Sequence, residues 1–490
     1  MKLPGSTDLS KEQNEIYWQP LDSRMLVTGP PGTGKTVMAL YRGQMVIKKG
    51  GKSSIRIIMF NKVLRKYSTE SLGDGGFEMG DELSGSIKTM HKWIAAWWLK
   101  SFGRKPPTIP GKNYSHDWDQ MVETLSESGD SNQRSVAEWD HLIIDEGQDF
   151  DQGLYQLIRF LVKFKIQTQS SPPGITIMAD ENQRITSNNS KIDEIRAQLT
   201  RLDGFLERAI VKNYRNSVQI ARLAAKFYCG HQTGIPDPPE RVGKHNPELL
   251  EHANLKEEVK RIAGFASMSA NLSIGIIVKK ETTRSKIYDL LCEEMEEAKP
   301  VDNLRPNPKN SGAPGTSGVT GLAGQILDIL AAAGWMKARD IADKIKAERS
   351  EVNKILYGQL RGRVEKNASH MWRAMGGPRS SGGGRTLPPQ SAPKIGRVQT
   401  FSSKKQPDEE KLSLDKPGFI TVLCLASCKG LEFDAVFLPQ LQQASFDPNK
   451  IDEFKMSMYV MISRARDFLF MSYTSGDGAV PEIVKLINQE

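Results

Sequence analysis

Gly29-Pro-Pro-Gly-Thr-Gly-Lys-Thr36 is a glycine, four residues and then Gly-Lys-Thr, and its reading decides the fold. Met25-Leu-Val-Thr28 before it is an apolar run of strand length, and Val37-Met-Ala-Leu40 after it opens a helix. A strand that turns through glycines into a helix N-terminus aims backbone N–H groups at phosphate oxygens. Gly29, Gly32 and Gly34 let the chain curl, with Pro30, Pro31 and Thr33 completing the loop. Lys35 is then placed to bridge β- and γ-phosphates, and the Thr36 hydroxyl to hold Mg²⁺. A bland glycine turn would not need Lys-Thr at that position. An α/β fold with a bound nucleotide is expected.

His141-Leu-Ile-Ile144 is a second buried strand, and it ends in Asp145-Glu146. Carboxylates at the C-terminal end of a strand, beside a phosphate loop, suit one Mg²⁺ ligand (Asp145) and one group that polarises an attacking water (Glu146). Without the loop upstream the same pair would read as a solvated turn.

With these motifs in order, residues 8–300 and 396–490 resemble a superfamily 1 helicase of the UvrD/Rep/PcrA type. Leu9-Ser-Lys-Glu-Gln13 is similar to the Q-motif, which implies that Gln13 reads the adenine edge. Ile57-Ile-Met-Phe-Asn61 resembles motif Ia and Thr89-Met-His91 the strand-touching Thr-Phe-His motif, which implies Asn61 and His91 on single-stranded DNA. Asp145-Glu-Gly-Gln148 and Asp180-Glu-Asn-Gln183 resemble motifs II and III. There Gln148 and Gln183 would connect the γ-phosphate to the strand-binding surface. Asn213-Tyr-Arg215 resembles motif IV, implying Tyr214 on adenine and Arg215 on the γ-phosphate. Lys429-Gly-Leu-Glu432 resembles motif V, with Glu432 on the ribose, and Tyr459-Val-Met-Ile-Ser-Arg464-Ala resembles motif VI, with Arg464 as the arginine finger.

The resemblance implies two RecA-like domains with parallel sheets flanked by helices. The first, 1A, takes 1–88 and 139–207, with a small 1B-like insertion at 89–138; the second, 2A, takes 208–302 and 395–490. Charge spreads over γ-phosphate oxygens during transfer, so arginines delivered from a second domain accelerate it. Closure on ATP and opening after hydrolysis would then step the protein along a strand. Three departures stand out. Val37 replaces an arginine that packs on adenine, Cys424-Leu-Ala-Ser-Cys428 replaces the Thr and His of motif V, and Arg184-Ile-Thr-Ser187 lacks the family's base-inserting aromatics.

Composition agrees. At 490 residues the chain has room for three or four domains, and a net charge of +9 favours a polyanionic partner. There is no apolar run of membrane length, and Met1-Lys-Leu-Pro-Gly-Ser6 turns polar at once, so a cytoplasmic, monomeric protein with no membrane partner is expected. The 4 cysteines form no Cys-x-x-Cys pair and read as small buried hydrophobes. Trp93, Trp97, Trp98, Trp118 and Trp139 fill the segment before motif II. Helical spacing favours core packing for them, with base stacking as the alternative.

No recognisable 2B domain exists. Residues 303–319 and 376–394 are Gly/Ser/Pro-rich linkers, and 320–375 between them carries three apolar helix faces and two short strands (Arg363–Lys366, His370–Arg373). That pattern reads as a winged helix-turn-helix. Arg349, Asn353 and Tyr357 recur every four residues on its third helix, with Lys354 beside them, and suit nucleic-acid contact. Asn353-Lys-Ile-Leu-Tyr357 with Trp372 resembles the Z-alpha fold, which implies recognition of left-handed DNA or RNA. Ordinary duplex binding and protein docking remain alternatives. The function class likewise stays double: a helicase or translocase moving 3′→5′, or a nucleic-acid-gated ATPase clamp.

Overall fold

The computed structural model describes residues 8–50, 55–60, 62–74, 80–111, 115–128, 139–168, 173–183, 189–295, 322–333, 336–348, 351–352, 355–356, 360, 364–366, 371–374, 398–401, 412–414, 416–444, 447–474 and 484. The chain folds as two compact units, one of Met1–Pro300 with Pro393–Glu490 and a second of Val301–Ala392.

The large unit begins with a helix, Lys11–Tyr17, started by Ser10 and Gln13 in a reciprocal capping box. Its first sheet is built from β1 (Arg24–Thr28), β2 (Ile55–Met59), β3 (Ile87–Thr89), β4 (His141–Ile144), β5 (Gly174–Ala179) and β6 (Phe205–Ala209), in the order β3-β2-β4-β5-β1-β6. Every pairing is parallel. β1, β4 and β5 are buried on both faces, which is why Met25-Leu-Val, Leu142-Ile-Ile and Ile175-Thr-Ile-Met read as runs rather than alternations. Parallel strands end together, so Thr28, Ile144, Ala179 and Ala209 bring their following loops to one edge.

β7 (Glu248–His252) and β8 (Ile274–Val278) open a second sheet. The small unit then contributes β9 (Met336–Lys337), β10 (Val364–Lys366) and β11 (Met371–Ala374), antiparallel in the order β10-β11-β9, with helices Leu322–Ala333 and Ala338–Ile345. Its own core holds Ile326, Leu330, Ile341, Val352, Leu356, Leu360 and Trp372. The second sheet of the large unit is completed by β12 (Val398–Thr400), β13 (Ile420–Cys424), β14 (Phe433–Leu438) and β15 (Ala465–Thr474), in the order β12-β13-β8-β14-β15-β7, again all parallel. The large unit is thus two parallel-sheet α/β layers flanked by helices, the RecA-like arrangement.

The tryptophans belong to the core. Helix Met90–Phe102 buries Met90, Trp93, Ile94, Trp97 and Trp98, and ends on Gly103 at φ 65°, a left-handed turn that suits glycine. Trp118 and Trp139 join the same cluster as Leu142 and Ile144, so residues 90–102 and 118–127 pack into the first sheet's own core. None of the five is exposed to stack on a base.

Candidate nucleotide site

A cleft of about 460 Å³ lies where the two sheets of the large unit meet, lined from one side by Pro31, Gly32, Gly34, Lys35 and Thr36. The loop needs its glycines. Gly32 and Gly34 sit at φ 83° and 89°, and a Cβ on Gly32 would run into the Asn213 side chain. Gly29, Pro30 and Thr33 stand behind this lining. The Thr33 hydroxyl donates to the Pro30 carbonyl at 2.9 Å, and a Cβ on Gly29 would meet the Ile210 carbonyl. Helix Lys35–Gly50 starts at the loop's end, which turns its free N–H groups toward the cleft.

Lys35 curls over the loop and donates to the Gly29 and Pro30 carbonyls at 2.6 and 3.0 Å, 3.6 Å from the Asp180 carboxylate. Thr36 Oγ donates to Asp145 Oδ2 at 2.7 Å, joining the two groups read as Mg²⁺ ligands. Asp145 is fully buried and its second oxygen has no hydrogen-bond partner. A buried carboxylate oxygen with no donor, beside a hydroxyl and a phosphate loop, fits a hard divalent cation. Burial and the neighbouring Glu146 push the Asp145 carboxyl up, against the pull of Thr36 and Lys35.

Glu146 sits at φ 53°, a left-handed conformation that a non-glycine residue holds at a cost of about 1–3 kcal/mol. The turn aims its carboxylate into the cleft. Burial opposes its charge, but Lys35, Lys429, Gln148 and Arg464 outweigh burial and hold it below the usual carboxylate range. A line of hydrogen bonds leaves it: Gln148 donates to Glu146 at 2.7 Å and accepts from the Asp180 N–H at 2.8 Å. Gln183 donates to Asp180 at 2.8 Å and accepts from Arg464 Nη2 at 2.8 Å.

That last bond crosses to the second sheet, which presents the N-terminal ends of its strands. Phe433 pairs with Ala465 at the start of β14 and β15, so the preceding Glu432 and Arg464 stand side by side. Arg464 is 1% exposed, and burial and Arg215 lower its pKa to about 10, so it stays charged. A second crossing is the ion pair of Lys429 with Asp149 at 2.5 Å, both fully buried. Burial pushes the Asp149 carboxyl up to about 6 although Lys429 pulls it down.

Arg215 does not project alone toward the phosphate end. It pairs with Glu432 at 2.8 Å, a contact the separate γ-phosphate and ribose assignments of the two residues did not anticipate. Burial opposes charge on Glu432, yet Arg466 and Arg215 hold its carboxyl far below the usual range. At the outer end Tyr214 is 45% exposed with Lys212 over its ring at 5.6 Å, and Gln13 lines the cleft beside Val37. Gln13 Oε1 accepts from the Ser10 N–H at 3.0 Å, and its Nε2 donates to the Thr33 carbonyl at 3.3 Å.

Lys35, Thr36, Glu146, Gln183, Tyr214, Arg215, Glu432, Arg464 and Gln13 therefore share one cleft, with Asp145 bonded to Thr36. Asp180, Asp149 with Lys429, and Arg466 were not singled out from sequence. Asp180 and Lys429 sit inside quoted motifs and Asp149 and Arg466 directly after them, but partners up to 280 positions away decide their part. Of the expected nucleic-acid contacts, His91 is exposed at a helix start with Nδ1 3.2 Å from His116 Nε2. Trp372 lies in β11, one of the two strands expected to form the wing. It is 6% exposed in the small unit's core, because β11 turns it onto the helices. Asn61, Arg349, Asn353, Lys354 and Tyr357 lie outside the described residues.

Family models match the segments that build both halves of the cleft. A model described as an AAA domain matches residues 13–189, and one described as the UvrD-like helicase C-terminal domain matches residues 389–476. No curated protein matches the sequence. Among solved structures the chain is similar to the Pif1 helicase from Candida albicans, at 11% identity and TM-score 0.45 over 97% of both chains. It is also similar to the DUF1998 helicase MrfA bound to DNA, at 10% identity and TM-score 0.41, covering 99% of this chain and 52% of that one. The chain thus spans about half the length of MrfA. The AAA domain match thus covers the phosphate loop with Asp145, Glu146 and Gln183, and the UvrD-like helicase C-terminal domain match covers Glu432, Arg464 and Arg466.

Proposed function

We propose that the chain is an ATP-driven superfamily 1 motor on single-stranded DNA, moving 3′→5′, with the small unit as a tethered nucleic-acid-binding domain. The observation that carries this reading is the hydrogen-bonded line Glu146–Gln148–Asp180–Gln183–Arg464. It ties the group that handles water in one domain to the cation delivered by the other, so hydrolysis and domain contact are one event. Lys35 grips phosphate, Glu146 polarises the attacking water, and Arg464 and Arg215 stabilise charge on the γ-phosphate. Gln13 and Tyr214 hold adenine, and Glu432 the ribose. Thr36 and Asp145 would hold Mg²⁺, which supplies charge neutralisation between the phosphates when bound.

The order of helix, short strand, helix and two antiparallel strands supports a winged helix-turn-helix for 320–375. A buried Trp372 suits support of the recognition helix from within. Left-handed DNA or RNA is the sharper reading for this domain and ordinary duplex the plainer one.

One observation favours the clamp as a second reading. Ser427 and Cys428 are buried, and Cys424 Sγ lies 3.1 Å from Glu281, so this segment offers little to a strand. The deciding experiment measures ATP hydrolysis with and without single-stranded DNA, beside displacement of a strand from 3′-tailed and 5′-tailed duplexes. Stimulated hydrolysis with displacement from the 3′ tail is expected. Stimulation without displacement leaves the clamp, and hydrolysis indifferent to DNA removes both readings.

A further inference from the structure

Glu432 is shared by two arginines of unequal anchorage. Its Oε2 accepts from Arg215 Nε at 2.8 Å and its Oε1 from Arg466 Nη2 at 2.5 Å. Arg466 is tied a second time, through Nη1 to Asp434 Oδ1 at 3.0 Å. Asp434 is fixed in turn by the N–H and hydroxyl of Ser273, both at 2.9 Å. The other guanidinium contact of Arg215 is a 3.4 Å bond to the Ser463 carbonyl, at the outer limit of a hydrogen bond. Arg466 is therefore held by two carboxylates, and Arg215 by one. All four side chains line the same cleft.

The two arginines hold different oxygens of Glu432, so Oε1 can keep Arg466 while Oε2, on the side of the weakly anchored Arg215, exchanges its partner. We propose that Arg466 is a positioning residue for Glu432, and that Arg215 is stored on the same carboxylate until a ribose hydroxyl displaces it toward the γ-phosphate. The sugar thereby releases the cation that the phosphate needs, and the cleft senses the ribose in its rate as well as in its affinity. This rests on the reading of the cleft as an ATP site with Glu432 at the ribose. It adds a partner exchange and a role for Arg466.

The test is steady-state hydrolysis by the full chain of ATP and of 2′,3′-dideoxy-ATP, in the wild type, Glu432→Gln, Arg466→Ala and the double variant. The wild-type kcat is expected to fall about tenfold on the dideoxy nucleotide, the size of one charge-assisted hydrogen bond left in the barrier. Glu432→Gln is expected to erase that difference, because an amide does not hold Arg215 as an ion pair. Arg466→Ala leaves Glu432 to Arg215 alone and lowers kcat on ATP, and adding Glu432→Gln restores most of it. A wild-type kcat equal on both nucleotides, with only KM raised on the dideoxy form, overturns the exchange while the ribose reading stands. If neither constant changes, Glu432 does not read ribose and the underlying assignment falls. A double variant no more active than Arg466→Ala overturns the positioning role. Should Arg466→Ala lose its circular dichroism spectrum, Arg466→Lys takes its place, since a single ammonium cannot hold both carboxylates in the guanidinium's geometry.

Discussion

The first half of the cleft grips with backbone and short side chains gathered in residues 29–36 at the C-terminal edge of its sheet, whereas the second half brings Arg464 and Arg466 from the N-terminal end of β15 and Arg215 from the segment after β6. The loop's geometry is local. Two left-handed glycines and a helix start make it, with Ile210 and Asn213 closing on it from outside. The arginines depend on distance: Arg464 meets Gln183 across 281 positions and Arg215 meets Glu432 across 217. On the function proposed above, the difference divides the work: binding belongs to one domain and rate to the contact between two.

Substitutions in the first half should break this division most visibly. Lys35→Ala removes the phosphate grip and is expected to reduce hydrolysis to background with weakened ATP binding. Glu146→Gln should cost turnover roughly 10³-fold or more and leave binding of a fluorescent ATP analogue intact. Near-normal turnover in either purified variant would contradict the assignment of the first half.

Arg464→Ala sharpens the comparison from the other side. Turnover should fall by roughly 10³-fold with a modest change in ATP affinity, the mark of a group that acts on the transition state. If affinity fell in step with kcat, binding would be shared by both halves and the division would be wrong.

The smallest effect concerns stability and belongs to the first half. His141 is fully buried, with Nδ1 2.7 Å from the Leu21 carbonyl and Nε2 2.9 Å from the Thr176 hydroxyl, and burial and Arg42 lower its pKa from 6.5 to about 3. The unfolded chain therefore takes the proton first. The contribution is constant above about pH 6.5 and declines as pH falls toward the folded value, by about 2 kcal/mol between about pH 8 and about pH 5. His141→Gln keeps an amide donor and acceptor and does not titrate, so urea unfolding at the two pH values should show a smaller decline for the variant. Equal declines would free His141 of this role.

Much of the fold was legible because parallel strands announce themselves as apolar runs, and Met25-Leu-Val-Thr28 and His141-Leu-Ile-Ile144 both end where chemistry begins. The spacing of Trp93, Trp97 and Trp98 correctly favoured a buried face. Harder to read were the partners of Glu432, since nothing local says that a carboxylate expected on a ribose is already held by two arginines. For Trp372 the strand was legible and the face it turns inward was not. Asp180 sat inside a recognised motif, yet its central place depends on Lys35, Gln148 and Thr233 converging from three separate segments.

The buried pair of Lys429 and Asp149 bears on how readily the two halves part. Closing strips water from two charges, a penalty of several kcal/mol each, and their mutual attraction returns a similar amount. In the motor proposed above, terms that nearly cancel would leave this contact close to indifferent between shut and open. Near such a balance a ligand that prefers one state by about 5.5 kcal/mol carries the population from almost none to almost all. The pair then works less as a fastener than as a counterweight, set so that one nucleotide arriving or leaving is enough to tip the molecule.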